Sequence, residues 1–186
     1  MFGLFKKTPP ELPQRLGYED SCRRLQPRHV EFDAIPPMPD RVPRADDEVP
    51  GVSFFRTRVD ATDDLSNLTL ARTFFGRSEI DDTPFRNTDL AESNLCWNDF
   101  TDVDFTHARL ARSDLRASLF TRVRFVGADL SNADLRQSTF DACVFTDASM
   151  AGVVLTPAQG RTMPLSRRQR DEIAWTQDDG PEPAGG

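Results

Sequence analysis

The chain has no run of eighteen apolar residues, so no helix that would cross a bilayer is expected. The apolar tip from Met1 to Phe5 is too short for the core of a signal peptide, and Lys6 and Lys7 lie on the wrong side of it. Cysteine is scarce: Cys22, Cys96 and Cys143 form an odd set with no CxxC pair. That excludes a disulfide framework and suits a reducing, cytoplasmic location. The two histidines, His29 and His107, lack partners at ligand spacing, and Cys22 with His29 in a proline-rich arm makes a poor metal pair. Neither type of Gly-rich nucleotide loop occurs, nor G-x-S-x-G, nor HExxH. The carboxylate neighbours Asp81–Asp82 and Asp102–Asp104 have no cleft to desolvate them into an acid–base pair. A protein without catalysis, cofactor or metal is expected.

Positive charge is also in deficit. There are 23 basic and 30 acidic residues, a net charge of −7. Residues 61–157 hold 9 basic and 15 acidic groups, whereas residues 1–60 hold 10 of each. Broad contact with nucleic-acid phosphates is therefore not expected. A basic partner would be attracted instead.

What the chain has in abundance is a period. Every fifth residue from Leu65 to Leu155 is large and apolar, nineteen in succession, where a 38% hydrophobic chain would supply roughly seven by chance. Two residues before most of these centres sits a small residue, such as Thr73, Ser78, Ala108, Ser118 or Cys143. A spacing of two puts both side chains on one face of an extended strand. A helix cannot hold the pattern, because five residues turn it by about 500°, leaving successive centres about 140° apart. A flat strand fails too, since an odd period flips faces at every repeat. The chain must bend between repeats.

A twenty-residue period overlies the first. Ile80, Phe100, Phe120 and Phe140 fall in one series and Phe85, Phe105, Phe125 and Phe145 in the next. Leu70, Leu90, Leu110, Leu130 and Met150 form the third, and Phe75, Leu95, Leu115, Leu135 and Leu155 the fourth. Four repeats per coil give a square solenoid in which like stacks on like, at about 4.8 Å per coil. The units Thr88-Asp89-Leu90, Ser113-Asp114-Leu115, Ala128-Asp129-Leu130 and Ala133-Asp134-Leu135 resemble the pentapeptide-repeat family, whose pattern is A(D/N)LXX. The resemblance covers about half of the chain and implies an all-β fold, the right-handed quadrilateral β-helix. Pro84, Leu119, Arg124 and Val154 depart from it, occupying slots where Asp or Asn is usual. The family includes quinolone-resistance proteins that protect DNA gyrase, described as mimics of duplex DNA that dimerise through their C-terminal ends.

The flanks read differently. Residues 1–50 are dense in proline, which argues for an arm that is extended, partly disordered or draped on the solenoid, with a short helix over Gln14–Leu25. Phe2, Leu4 and Phe5 form either a docking tag or a frayed terminus. Residues 51–62 offer Phe54 and Val59 as a partial first coil, one residue out of phase, and Phe54, Phe55 and Leu68 as its cover. The repeat array spans 63–157. Residues 158–176 form the far cap, where Ser166 and Gln169 make a capping box for one short helix, Arg167–Thr176. Ile173, Ala174 and Trp175 then form either a lid or a homodimer contact. Residues 177–186 read as a disordered tail.

Sorted by side, the outward residues are unequal. The side centred on Ile80, Phe100, Phe120 and Phe140 bears Glu79, Asp81, Asp82, Asp99, Asp102 and Asp141 against one base, Arg122. This acidic wall is either a solubility face or a surface that docks a protein with a basic patch, a DNA-binding enzyme such as gyrase being one such partner. In the other reading the arm and tail hold the partners and the rod only spaces them. Trp97 stands at a corner one coil above Arg77, as a local cation–π partner, a binding anchor or an exposed aromatic. No direct contact with nucleic acid or membrane is expected.

Overall fold

A computed structural model describes residues 11–25 and 53–177. Within them the centres do turn inward: from Leu65 to Leu155 all are buried, and the core is one continuous cluster along the rod. Five-residue sides require a bend at every repeat, and the bend has a fixed place. The residue two after every centre but the last adopts a left-handed backbone, from Asn67 (φ 59°) to Asp147 (φ 57°), with Gly127 and Gly152 in the same slot; after Leu155 the chain enters a helix at Pro157 instead. Only Gly takes this conformation freely, yet most corners use Asn, Asp, Arg or other side chains. A turn hydrogen bond closes many corners, as from Ala108 N–H to Phe105 C=O at 2.9 Å.

Each side pairs in parallel with the same side one coil away. Phe85 N–H donates to Asp104 C=O at 2.8 Å and Asp104 N–H to Thr83 C=O at 3.2 Å, and this scheme recurs along the array. One wall is regular enough to form a five-stranded sheet, in the order β2 (Arg58–Val59), β4 (Glu79–Asp81), β5 (Asp99–Thr101), β6 (Leu119–Thr121), β7 (Thr139–Asp141). Strands β1 (Ser53–Phe55) and β3 (Phe74–Gly76) pair on the neighbouring side. Phe54 pairs with Phe75 and Val59 with Ile80, twenty-one residues apart rather than twenty, so the first coil carries the expected single-residue offset.

Aromatic ladders fill two quadrants. Phe100, Phe120 and Phe140 stack with centroids 5.0 and 5.1 Å apart and planes within 3°. Phe105, Phe125 and Phe145 stack at 5.4 and 4.9 Å. The two ladders meet edge to face, as at Phe120–Phe125, 5.7 Å. This arrangement suits the ring quadrupoles as well as the space.

The small inward residues do more than fill space. On one corner Ser78 N–H donates to Asn98 Oδ1, Asn98 N–H to Ser118 Oγ and Ser118 N–H to Ser138 Oγ, at 2.9–3.1 Å. Each side chain also donates back to a carbonyl: Asn98 Nδ2 to Phe75, Ser118 Oγ to Leu95, Ser138 Oγ to Leu115. These bonds satisfy buried backbone groups that the corner takes out of the ladder.

The same device closes the far end. Two helices follow the last coil rather than one: α2 (Pro157–Thr162) and α3 (Arg167–Glu172), the latter shorter than the sequence suggests. Both open with a capping box, Thr156/Gln159 and Ser166/Gln169. The T-x-x-Q of the first is as legible as the S-x-x-Q of the second. Each glutamine also donates through Nε2 into the coil beneath: Gln159 to Leu135 and Ser138 C=O, both 2.8 Å, and Gln169 to Phe145 and Ala148 C=O, 2.6 and 3.1 Å. The chain then returns as β9 (Ala174–Trp175), paired with β8 (Val154–Leu155), so Trp175 sits on a strand and not on a helix.

At the near end α1 (Tyr18–Leu25) lies on the first coil. Leu25 is buried with Phe54 and Leu68, Ser21 Oγ accepts from Thr69 N–H at 2.9 Å, and Leu16 N–H donates to Asn67 C=O at 2.7 Å. Residues 1–10, 26–52 and 178–186, including the Phe2–Phe5 tip and His29, lie outside the described residues.

Phe120→Ala should lower unfolding free energy by about 3–5 kcal/mol, because it opens a cavity inside a stack. Leu119→Ala, one residue away and facing out, should change it by less than about 0.5 kcal/mol. Gln169→Ala should cost about 1–3 kcal/mol, because it strips the Ala148 carbonyl of its donor and leaves the Phe145 carbonyl only the turn bond from Ala148 N–H. Gln169→Glu should cost a similar amount, since a carboxylate keeps the acceptor of the capping box but cannot donate to Phe145. Urea unfolding of the four variants checks this; a harmless Gln169→Glu would mean the glutamine is only a helix cap.

Candidate functional site

The wall formed by β2, β4, β5, β6 and β7 is backed by a single column of large inward side chains. Ile80, Phe100, Phe120 and Phe140 lie in register behind it. Alternation along each three-residue strand sends the flanking residues out. One outward column reads Arg58, Glu79, Asp99, Leu119, Thr139, and the other runs Asp81, Thr101, Thr121, Asp141. Asp82, Asp102 and Arg122 stand at the left-handed corner beside them.

The six acids expected on one wall are thus found there, but not evenly spread. Glu79, Asp81, Asp82, Asp99 and Asp102 occupy two adjacent coils. Asp141 stands two coils further on, beyond Leu119, Thr121 and Thr139. Two acids have cationic partners. Asp81 Oδ2 lies 3.6 Å from Arg58 Nη2, and Asp102 accepts two hydrogen bonds from Arg122, at 2.7 Å from Nε and 2.5 Å from Nη2. Among the described residues Glu79, Asp82, Asp99 and Asp141 form no ion pair.

Most acids on the other three walls are paired. Asp89 meets Arg109 at 3.2 Å, Asp104 meets Arg86 at 2.6 Å, and Glu92 lies between Arg72 and Arg112. Asp114 meets Arg116, and Asp134 meets Arg136, both at 2.7 Å and largely shielded from solvent. Asp129 and Asp147 are the exceptions; Asp129 Oδ1 accepts from Ser131. The wall therefore differs from its neighbours in charge pairing as well as charge count.

The ionisation of these groups follows from the contacts. The Arg122 guanidinium holds the Asp102 carboxyl below the usual carboxylate range. On the adjoining wall, burial alone would push the Asp104 carboxyl up, but hydrogen bonds from Thr106 and Arg86 outweigh it and the net shift is downward. Both groups stay charged well into mild acid. Burial pushes the thiols of Cys96 to about 12 and Cys143 to about 11, so both are inert packing groups at neutral pH.

Two features escaped the sequence. Arg58 joins this wall because the offset coil places it under Glu79. Leu119, 49% exposed, occupies the centre of the wall; its slot was flagged as a departure from Asp or Asn, and that was the available signal. Trp97 is half-buried at its corner, with Nε1 buried and unpartnered. The described residues contain no cluster of three or more His, Cys, Asp or Glu able to hold a metal, and no helix long and apolar enough to cross a membrane.

Comparison with known proteins agrees with the repeat. Residues 78–116, 99–137 and 118–156 match the family model described as pentapeptide repeats, in eight copies, so this stretch is a pentapeptide-repeat array. No curated protein sequence matches. Among solved structures, HetL, a pentapeptide repeat protein involved in heterocyst differentiation regulation from the cyanobacterium Nostoc sp. strain PCC 7120, is 16% identical with a TM-score of 0.47. The match covers 57% of this chain and 48% of HetL, so the chain spans about half of that protein's length. Rfr23 from the cyanobacterium Cyanothece 51142 is 18% identical, with a TM-score of 0.43 and coverage of 55% and 62%. QnrB1, a plasmid-mediated fluoroquinolone resistance protein, is 14% identical, with a TM-score of 0.42 and coverage of 69% and 76%.

Arg122→Ala should return the Asp102 titration to the ordinary carboxylate range, read as its carboxyl shift in an NMR titration. The sign is fixed by linkage. A depressed folded value adds stability above the unfolded value, and that stability is lost as pH falls through the folded one. For so exposed a pair the titration, not the melting point, is the readout.

Proposed function

We propose that this protein is a non-catalytic rod that binds another protein, and that its working surface is the wall bearing Glu79, Asp81, Asp82, Asp99, Asp102 and Asp141. The observation that carries the reading is the pairing contrast. Arginine neutralises most acids on the other walls, while Glu79, Asp82, Asp99 and Asp141 face solvent without an ion pair. Like charges one coil apart repel, and salt in the solvent weakens that repulsion only in part. A partner with a basic patch turns the repulsion into attraction and speeds encounter. A DNA-binding enzyme, gyrase among them, presents a basic surface to duplex phosphates and is one partner of this kind, for which the rod would act as a DNA mimic. The three unpaired thiols Cys22, Cys96 and Cys143 are in keeping with a cytoplasmic setting.

The alternative, an adaptor whose arm and tail hold the partners, is tested by deletion. Removing residues 1–50 would also strip α1 from the first coil, so the discriminating deletions are 1–10 and 178–186.

Replacing Asp81, Asp82, Asp99 and Asp102 together by Asn tests the wall. In affinity capture from the native cell, the parent should retain a partner that the variant loses, and binding to the parent should weaken steeply with salt. A partner held equally by both proteins, with the same salt dependence, would reduce the wall to a solvated face. If that partner is then lost with residues 1–10 or 178–186, the adaptor reading replaces it.

A further inference from the structure

The column Arg58, Glu79, Asp99, Leu119, Thr139 has a direction: cation, two anions, an aliphatic group, a hydroxyl. A lone exposed leucine is ordinary on a protein surface. Leu119 is set apart by its place, directly in line with two unpaired acids, on a sheet backed by the stacked rings of Phe100, Phe120 and Phe140. An aliphatic anchor beside charges that steer and align is how a small docking surface divides affinity from specificity.

The step of the column selects the shape of what lies on it. Backbone pairing between coils sets the spacing at about 4.8 Å, which puts the four positions from Arg58 to Leu119 at about 0, 5, 10 and 14 Å. One stripe of an α-helix, at i, i+4, i+7 and i+11, places side chains at about 0, 6, 10.5 and 16.5 Å. The mismatch is about 2 Å over the whole column, or about 1 Å at either end when stripe and column are centred, which is small beside the reach of a side chain. An extended strand presents the same face every two residues, about 6.7 Å, and is about 6 Å out of step by the fourth position. A helix laid across the rod would meet one coil and reach a single member of the column.

Resting on the reading of this wall as a protein-docking surface, we propose that its occupant is an amphipathic helix of the partner protein, lying along the rod axis, with a stripe reading acid, base, base, aliphatic against Arg58, Glu79, Asp99 and Leu119. Charge complementarity fixes which end of the stripe lies over Arg58, and with it the register. The same helix reversed sets its acid near Leu119 and its aliphatic group on Arg58.

The probe is a synthetic helical peptide with Glu, Lys, Lys and Leu at i, i+4, i+7 and i+11 and neutral residues elsewhere, labelled for fluorescence anisotropy with the full chain. Its control carries the same four residues at positions that scatter them around the helix, with composition and net charge unchanged. The peptide with the single stripe should bind about tenfold more tightly than the scattered one. Leu119→Ala, which leaves folding intact, should weaken binding several-fold at low and high salt alike. Asp99→Asn should weaken it and flatten the salt dependence. Arg58→Glu should weaken it, and exchanging the peptide's Glu for Lys should restore it. Equal binding of the two peptides, or indifference to Leu119→Ala while Asp99→Asn still acts, overturns the helix register but leaves a basic partner on the wall. Binding that ignores Glu79 and Asp99 at every salt concentration overturns the wall itself.

Discussion

Everything in this rod depends on the hydrogen bonds between successive coils. They fix the rise and hold the four sides in register, so that each residue lies over the one twenty positions earlier. From that constraint the rest follows. Inward residues must stack on their own kind, and Phe100, Phe120 and Phe140 do so with nearly parallel rings. Corners must bend at a fixed place, which puts arginines, asparagines and aspartates into a left-handed backbone. Outward residues must form columns, so surface charge becomes a pattern at fixed spacing instead of a scatter.

The constraint also creates a problem at the ends, where the pairing stops and backbone groups would be left open. The two ends solve it differently. At the near end α1 lies on the first coil through a few backbone contacts and one buried leucine. At the far end Gln159 and Gln169 extend an internal motif, a polar side chain reaching into the coil below, that Asn98, Ser118 and Ser138 already use inside the rod. Arg170 ties the connection together by donating to the carbonyls of Gly160, Met163 and Leu165.

The array was legible because a five-residue period admits one kind of chain path, and nineteen consecutive centres leave no doubt about phase. The offset of Phe54 and Val59 was legible for the same reason. What the period hides is the role of the small inward positions: Ser118 and Ala128 look alike as small residues, yet only the first adds side-chain hydrogen bonds between coils. The second helix of the cap was missed although Thr156 and Gln159 spell the same signature as Ser166 and Gln169. On the wall, charge identity was readable and pairing was not. Which arginine reaches which carboxylate depends on lateral neighbours across coils, and Arg58 belongs to a coil whose register only the structure fixes. Leu119 was visible as a broken slot, but its place in a column of unpaired acids was not.

The central claim is that the sheet wall is where a partner docks. The direct measurement is residue-resolved NMR of the labelled chain as the partner retained by affinity capture is added. The account predicts shifts concentrated on Glu79–Asp82, Asp99–Asp102 and Leu119–Thr121, with the wall bearing Glu92, Arg112 and Asp129 silent. Shifts centred on that opposite wall, or on α1 and the far cap with the sheet unmoved, would contradict it.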